Sequence, residues 1–139
     1  MKKLIFAVVI LFAVSVNGQD KSKAMNTAKA SFAKTFQGVT NVKWSKEGKD
    51  MEVDFVQKGI KMSAEYDAKG MLKNTEQSVT PAELPAAVMP YINQHYKGIA
   101  IKETAKVTTP AGVVCYEIGV KGKDVIFDTK GKFLKEEKD

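Results

Sequence analysis

The sequence predicts an α+β fold made of two helix-plus-four-strand repeats, with the helices packed on one face of an antiparallel sheet. Three observations lead there. Apolar residues recur every four positions at Ala24, Ala28, Phe32 and Phe36, and again at Leu84, Val88, Ile92 and Tyr96, which is the spacing of one helix face. After each stripe, apolar and polar residues alternate as they do along a half-buried strand. Short motifs then repeat: Phe36-Gln37-Gly38-Val39 returns as Tyr96-Lys97-Gly98-Ile99, and Tyr66-Asp67-Ala68-Lys69-Gly70 returns as Phe127-Asp128-Thr129-Lys130-Gly131. A recurrence near 60 residues is the mark of an internal structural copy.

The elements follow in chain order. Met1-Lys2-Lys3 is a short basic start, residues 4–16 are apolar except for Ser15, and Val16-Asn17-Gly18 offers small residues for cleavage. This pattern predicts a cleavable secretory signal peptide at 1–18 and a mature chain from about Gln19. The apolar run falls short of the roughly 20 residues a spanning helix needs, and no second run follows, so no membrane span is expected in the mature chain. No cysteine lies near the cleavage point to carry a lipid. The expected location is periplasmic or secreted. Residues 19–139 read as a single domain, its repeats at about 20–79 and 80–139.

In the first repeat the helix ends at Gly38, a residue suited to a left-handed exit. Val42 and Trp44 alternate with Asn41 and Lys43. Met51, Val53 and Phe55 point to one face while Glu52 and Asp54 point to the other, and Ile60, Met62, Ala64 and Tyr66 alternate in the same way with Lys61, Ser63 and Glu65. Clean alternation over consecutive runs predicts an antiparallel sheet with one wet face. Lys58-Gly59 and Asp67-Ala68-Lys69-Gly70 supply the turns, the aspartate by bonding backbone N–H groups and the glycines by positive φ.

The second repeat opens at Thr80-Pro81-Ala82-Glu83, a capping-box spacing with proline at the first helical position. A short turn at 81–84 and a main helix from about Pro85 are expected. Pro90 lacks the N–H of an interior helical bond, which predicts a kink or loosened turn there. Strands are expected at 99–107, 113–121, 123–129 and 132–136. In the second of these Val114, Tyr116, Ile118 and Val120 share one face, and Cys115, Glu117 and Gly119 share the other.

Composition limits function. The chain has 139 residues and a net charge of +6, with every basic residue a lysine. Loss of Lys2 and Lys3 with the signal leaves 20 lysines against 16 acids, or +4. Without arginine, bidentate reading of phosphate or guanine is excluded, and the lysines alternate with acids instead of forming a stripe, so no nucleic-acid partner is expected. One cysteine and one histidine leave no disulfide framework, multi-His site or Cys-rich cage. No cofactor, no metal and no catalytic residue is predicted, and the chain reads as a non-enzyme.

The order Val42-Lys43-Trp44, Glu52-Val53-Asp54-Phe55, Glu65-Tyr66-Asp67-Ala68-Lys69-Gly70, Leu84-Pro85, Ile101-Lys102-Glu103, Tyr116-Glu117-Ile118 and Phe127-Asp128 with Gly131 resembles the PepSY-like, beta-lactamase-inhibitor-like family of small exported proteins. The resemblance covers essentially the whole mature chain. It implies a periplasmic location and a helix-on-sheet repeat like that of the beta-lactamase inhibitory protein, which binds its enzyme through a concave sheet face without catalysis.

Individual candidates follow from strand phase. Trp44 reads as core or core edge, His95 as a solvated histidine near a helix end, and Cys115 as an unreactive, partly buried thiol. Asp67 and Asp128 read as turn residues and not as calcium ligands, because a lysine occupies each loop. Lys43, Glu52, Asp54, Lys61, Glu65 and Glu117 all fall on the face expected to be exposed. That face is either a solvated surface or a polar recognition surface whose charges set partner register. The expected function is therefore a non-catalytic binding module in the cell envelope, engaging a protein or peptide through that face, as an inhibitor or modulator of an envelope enzyme. The alternative is an envelope structural or small-ligand or lipid-carrying protein with a groove between helices and sheet, lined by Met51, Met62, Met71 and Met89.

Overall fold

The computed structural model describes residues 18–138; the expected signal peptide lies outside the described residues, Gly18 apart. Two helices and eight strands follow as α1 (Gly18–Thr35), β1 (Val39–Glu47), β2 (Asp50–Gln57), β3 (Ile60–Tyr66), β4 (Leu72–Ser78), a 3-10 turn (Pro81–Glu83), α2 (Val88–His95), β5 (Glu103–Thr108), β6 (Val114–Val120), β7 (Lys123–Phe127) and β8 (Phe133–Lys138). The strands run in chain order through an eight-stranded antiparallel sheet. Among the described residues, 18–75 and 76–138 form two compact units, each with its own apolar core.

The first unit is organised by the stripe on α1. Ala24, Ala28 and Phe32 are buried, and Phe36 follows one turn later with its N–H donating to the Phe32 carbonyl at 2.8 Å. Met51, Val53 and Phe55 on β2 face this stripe together with Ala64 and Tyr66 on β3. Phe32 meets Phe55 edge-on at 5.0 Å and Trp44 edge-on at 5.6 Å, while Trp44 lies 5.6 Å from Tyr66. Trp44 is thus a core-edge residue, and each such ring pair adds about 0.5–1.5 kcal/mol beyond its buried area.

Val42 departs from the expected phase and stands 44% exposed. The cause is a register shift between Thr40 and Lys43, with Asn41 in the left-handed region at φ 55°. Such a bulge sends the next side chain to the other face. Ile60 is also 40% exposed, because it begins β3 directly after the Lys58-Gly59 turn. Both turn residues have positive φ, 51° and 80°, the combination that matches hairpin twist.

In the second unit Thr80 and Glu83 close their turn reciprocally. The Thr80 N–H and hydroxyl both donate to Glu83 Oε2, at 2.7 and 2.8 Å, and the Glu83 N–H returns a bond to the Thr80 carbonyl at 3.0 Å. The helix that follows corrects the expectation around the prolines. It begins at Val88, not near Pro85, and Pro90 is its third residue. The first four N–H groups of a helix have no intrahelical partner, so Pro90 costs no bond there and no kink is needed. Leu84, Val88, Ile92 and Tyr96 pack with Ile118, Val120, Val125 and Phe127. Strand β5 also starts later than expected, at Glu103.

Two turns tie each sheet segment back to its helix. Asp67 Oδ1 accepts from the N–H groups of Lys69 and Met71 at 2.8 and 3.0 Å; Asp128 Oδ1 accepts from those of Lys130 and Lys132 at 2.8 and 2.9 Å. The glycine closing the first of these, Gly70, has φ +82° and lies directly against α1. A Cβ placed there would overlap the Ala24 carbonyl oxygen and fall 2.7 Å from Thr27 Cβ and 2.9 Å from the Ala28 nitrogen. Gly59 has nearly the same φ, +80°, but open space around it. Gly59→Ala should therefore cost only the left-handed penalty, about 1 kcal/mol. Gly70→Ala should cost about 3 kcal/mol or more, because helix backbone cannot step aside. Urea unfolding midpoints of the two variants check this ordering.

Candidate functional site

The sheet face opposite the helices carries the charged residues singled out above, and strand register fixes their neighbours. In the first unit one row runs Lys43, Asp54, Ser63 across β1, β2 and β3, and the next runs Ser45, Glu52, Glu65. Lys43 and Lys61 are exposed, and Glu52 and Asp54 are half-buried.

Glu65 corrects the expectation of a wholly wet face, since only 6% of its surface is exposed. Two consecutive residues of β4 cover it. Lys73 Nζ donates to Glu65 Oε1 at 2.6 Å and to Asp50 Oδ2 at 2.7 Å, and Asn74 Nδ2 donates to Glu65 Oε2 at 2.8 Å. Burial raises the Glu65 carboxyl against the lowering pull of these donors. Burial alone would lower Lys73, but its two carboxylate partners outweigh that and hold its ammonium above the usual range.

Lys73 is engaged by Asp50 and Glu65, and Glu52 has no comparable partner among the described residues. Burial, then the adjacent charges of Asp54 and Glu47, push its carboxyl up to about 7. Glu52 therefore gains or loses its proton near neutrality, where an incoming cation would tip it to the ionised form.

Glu117 belongs to the second unit and is 1% exposed, again contrary to the expected exposure. Register sets it between Ala105 on β5 and Ile126 on β7, in a row that ends at Lys135 on β8. Ala105 and Ile126 are themselves buried, as are the neighbouring pair Val107 and Cys115. The adjacent row holds Glu103, Gly119, Asp124 and Glu137. Neither Glu117 oxygen has a hydrogen-bond partner among the described residues. Burial first, then Asp124 and Glu76, push its carboxyl up to about 10, so at neutral pH it is a neutral acid. Cys115 is driven to about 11 by burial and then by Glu117, which keeps it a protonated, unreactive thiol.

The remaining candidates fall where their residue types suggest. His95 is exposed, stacks on Tyr91 at 3.9 Å and places Nδ1 2.9 Å from the Tyr91 carbonyl. Met51 is buried, and Met62 packs against the same core, whereas Met71 is 60% exposed and Met89 packs in the second unit's core. Among the described residues, no group of three or more His, Cys, Asp or Glu side chains is placed to hold a metal ion, and no helix is long and apolar enough to cross a membrane. Lys73, Asn74 and Asp50 are the residues sequence reasoning missed; Asp50 and Lys73 sit at strand ends where alternation carries no signal.

Glu117 has a consequence for stability. Its proton is held far more tightly in the folded than in the unfolded chain, whose carboxyl titrates near 4.5. Between those values the folded state binds the extra proton, so stability falls as pH rises from about 4.5 towards 10. Glu117→Gln should remove this dependence and stabilise the fold at pH 8 by about 1–3 kcal/mol. The gain should shrink towards pH 4, as urea titrations at the two pH values would show.

Comparison with known proteins agrees with this architecture. A structure of a Bacteroides eggerthii protein provisionally described as periplasmic superposes with a TM-score of 0.68 at 17% identity, covering 81% of this chain and 87% of that one. A DUF2874 family protein from Bacteroides uniformis gives 0.67 at 18% identity over 81% and 87%. A BLIP-like protein from Bacteroides fragilis gives 0.61 at 21% identity over 81% and 84%. These likenesses establish a shared fold. No curated protein matches the chain by sequence. The family model described as beta-lactamase-inhibitor-like and PepSY-like matches residues 49–135, and the chain belongs to that family.

Proposed function

We propose that this protein is a non-catalytic binding module of the cell envelope, exported by its N-terminal signal and held in the periplasm. In this reading it engages a protein or peptide through the sheet face of the first unit. The observation that carries the proposal is the half-buried Glu52, raised to about 7 beside Asp54 while the half-buried ammonium of Lys73 is already shared between Asp50 and Glu65. A partner's lysine or arginine laid over Glu52 and Asp54 would neutralise both, and the exposed Lys43 and Lys61 would receive its acids. Modulation of an envelope enzyme is the expected consequence of such capture.

The two units are, in the same proposal, copies of one helix-plus-four-strand repeat. Supporting this, the Asp67 and Asp128 turns make the same pair of bonds, and Gly131 lies against Pro85, Ala87 and Val88 much as Gly70 lies against α1.

The test uses the purified protein as bait in envelope extract. A partner captured by the unaltered protein should be lost by the Glu52→Lys, Asp54→Lys double variant, with its melting temperature changed by only a few degrees. Capture should also strengthen from pH 6 to pH 8 as Glu52 ionises, and Glu52→Gln should abolish that dependence. Retained capture by the double variant, or absence of any captured partner, overturns the proposal.

A further inference from the structure

A cavity of about 170 Å³ opens in the first unit between α1 and the ends of two hairpins. Its apolar wall is Ala24 and Met25 of α1, Met51 of β2 and Ala68 of the β3–β4 turn, and its remaining lining residues are Lys21, Lys46 and Lys49. No carboxylate lines it. The three lysines come from three separate parts of the chain: the first turn of α1, the end of β1 and the turn that follows. All three are exposed, and none enters an ion pair among the described residues.

We infer that this cavity binds a small anionic amphiphile, a carboxylate carrying one compact aliphatic or aromatic group. Volume and charge both point to that class. An apolar cavity of roughly 150 Å³ accepts a benzene-sized group, so this one takes a short acyl or aryl unit but not a whole lipid chain. Three ammonium groups around an apolar floor attract an anionic head and disfavour a cationic one. The lysines keep their charges in water while their stems extend the apolar rim. Met25 and Met51 are unbranched and adaptable, so the walls can close on groups of differing shape. This site lies on the helix side of the unit, and its occupation does not depend on the sheet-face reading above.

The purified protein with isotope-labelled methionine methyl groups provides the test. Octanoate and 3-phenylpropionate, titrated to millimolar concentration, should shift the Met25 and Met51 methyl resonances with saturation, and octyltrimethylammonium should not. The two anions separate an aliphatic from an aromatic preference. Replacing all three lysines by Lys21→Gln, Lys46→Gln and Lys49→Gln should weaken octanoate binding at least tenfold without altering the melting curve. Unmoved methyl resonances, equal response to the cation, or unchanged affinity of the triple variant would each overturn the assignment.

Discussion

Close contact between α1 and the sheet is the constraint on which the first unit depends. Ala24 and Ala28 are small, so the β3–β4 turn can bring Gly70 against the helix backbone, while Phe32 and Phe36 one and two turns later fill the wider space above Phe55. Small residues at one end of the stripe and large ones at the other pack against the sheet and bury that face. Leu72 and Met62 complete the enclosure. Burying the aromatic side chains contributes about 1.5–3 kcal/mol each, but only while Gly70 holds the turn in place. The charged residues of β2 and β3 are left to the other face because period-two alternation allows them nowhere else.

How far this could be read from sequence follows from which signals are local. The helix stripes, the hairpin turns and the inward sets Met51, Val53, Phe55 and Ile118, Val120 are periodic, and periodicity survives folding unchanged. The capping box at Thr80 and Glu83 was legible for the same reason. Val42 was not, because a bulge is set by backbone geometry at Asn41 and leaves the apolar pattern intact. Alternation also states which face a residue takes without stating whether that face is wet. Glu65 and Glu117 were assigned to their correct faces, yet both are buried. Covering Glu65 requires Lys73 and Asn74 on a strand whose sequence is polar after Leu72. Enclosing Glu117 requires Ala105, Val107, Cys115 and Ile126 from three strands to meet on one face, and no single segment displays that pattern.

Glu65 and Glu117, both buried, answer to two different physical solutions. Glu65 is matched by an ammonium and an amide, an arrangement in which loss of either donor leaves a buried carboxyl without the partner that offsets its desolvation. Glu117 has no such donor and is neutral, which removes the charge cost but leaves a protonated carboxyl in an apolar setting. The first solution ties β2, β3 and β4 together through Asp50, Glu65 and Lys73. The second ties nothing together and makes the fold sensitive to base. A binding face is better built on the first, because its groups are fixed in place before a partner arrives and no ordering cost falls on association.

Glu52 stands between these two solutions, and for that reason the proposed binding mode uses the sheet face of the first unit in preference to that of the second. It shares a row with Glu65 but has no donor of its own among the described residues, and it remains accessible enough to meet one. A fully matched carboxylate would gain little from a partner's cation, since the exchange would replace one ion pair by another. A fully buried neutral acid could not be reached without opening the sheet. Only a half-buried carboxyl poised near neutrality gains substantially from an incoming charge, because contact then supplies the missing neutralisation and removes the strain of Asp54 and Glu47 together. Asp50, Glu65, Lys73 and Asn74 are already bonded to one another beside it, so in the proposed binding mode less of that gain would be spent on rearrangement.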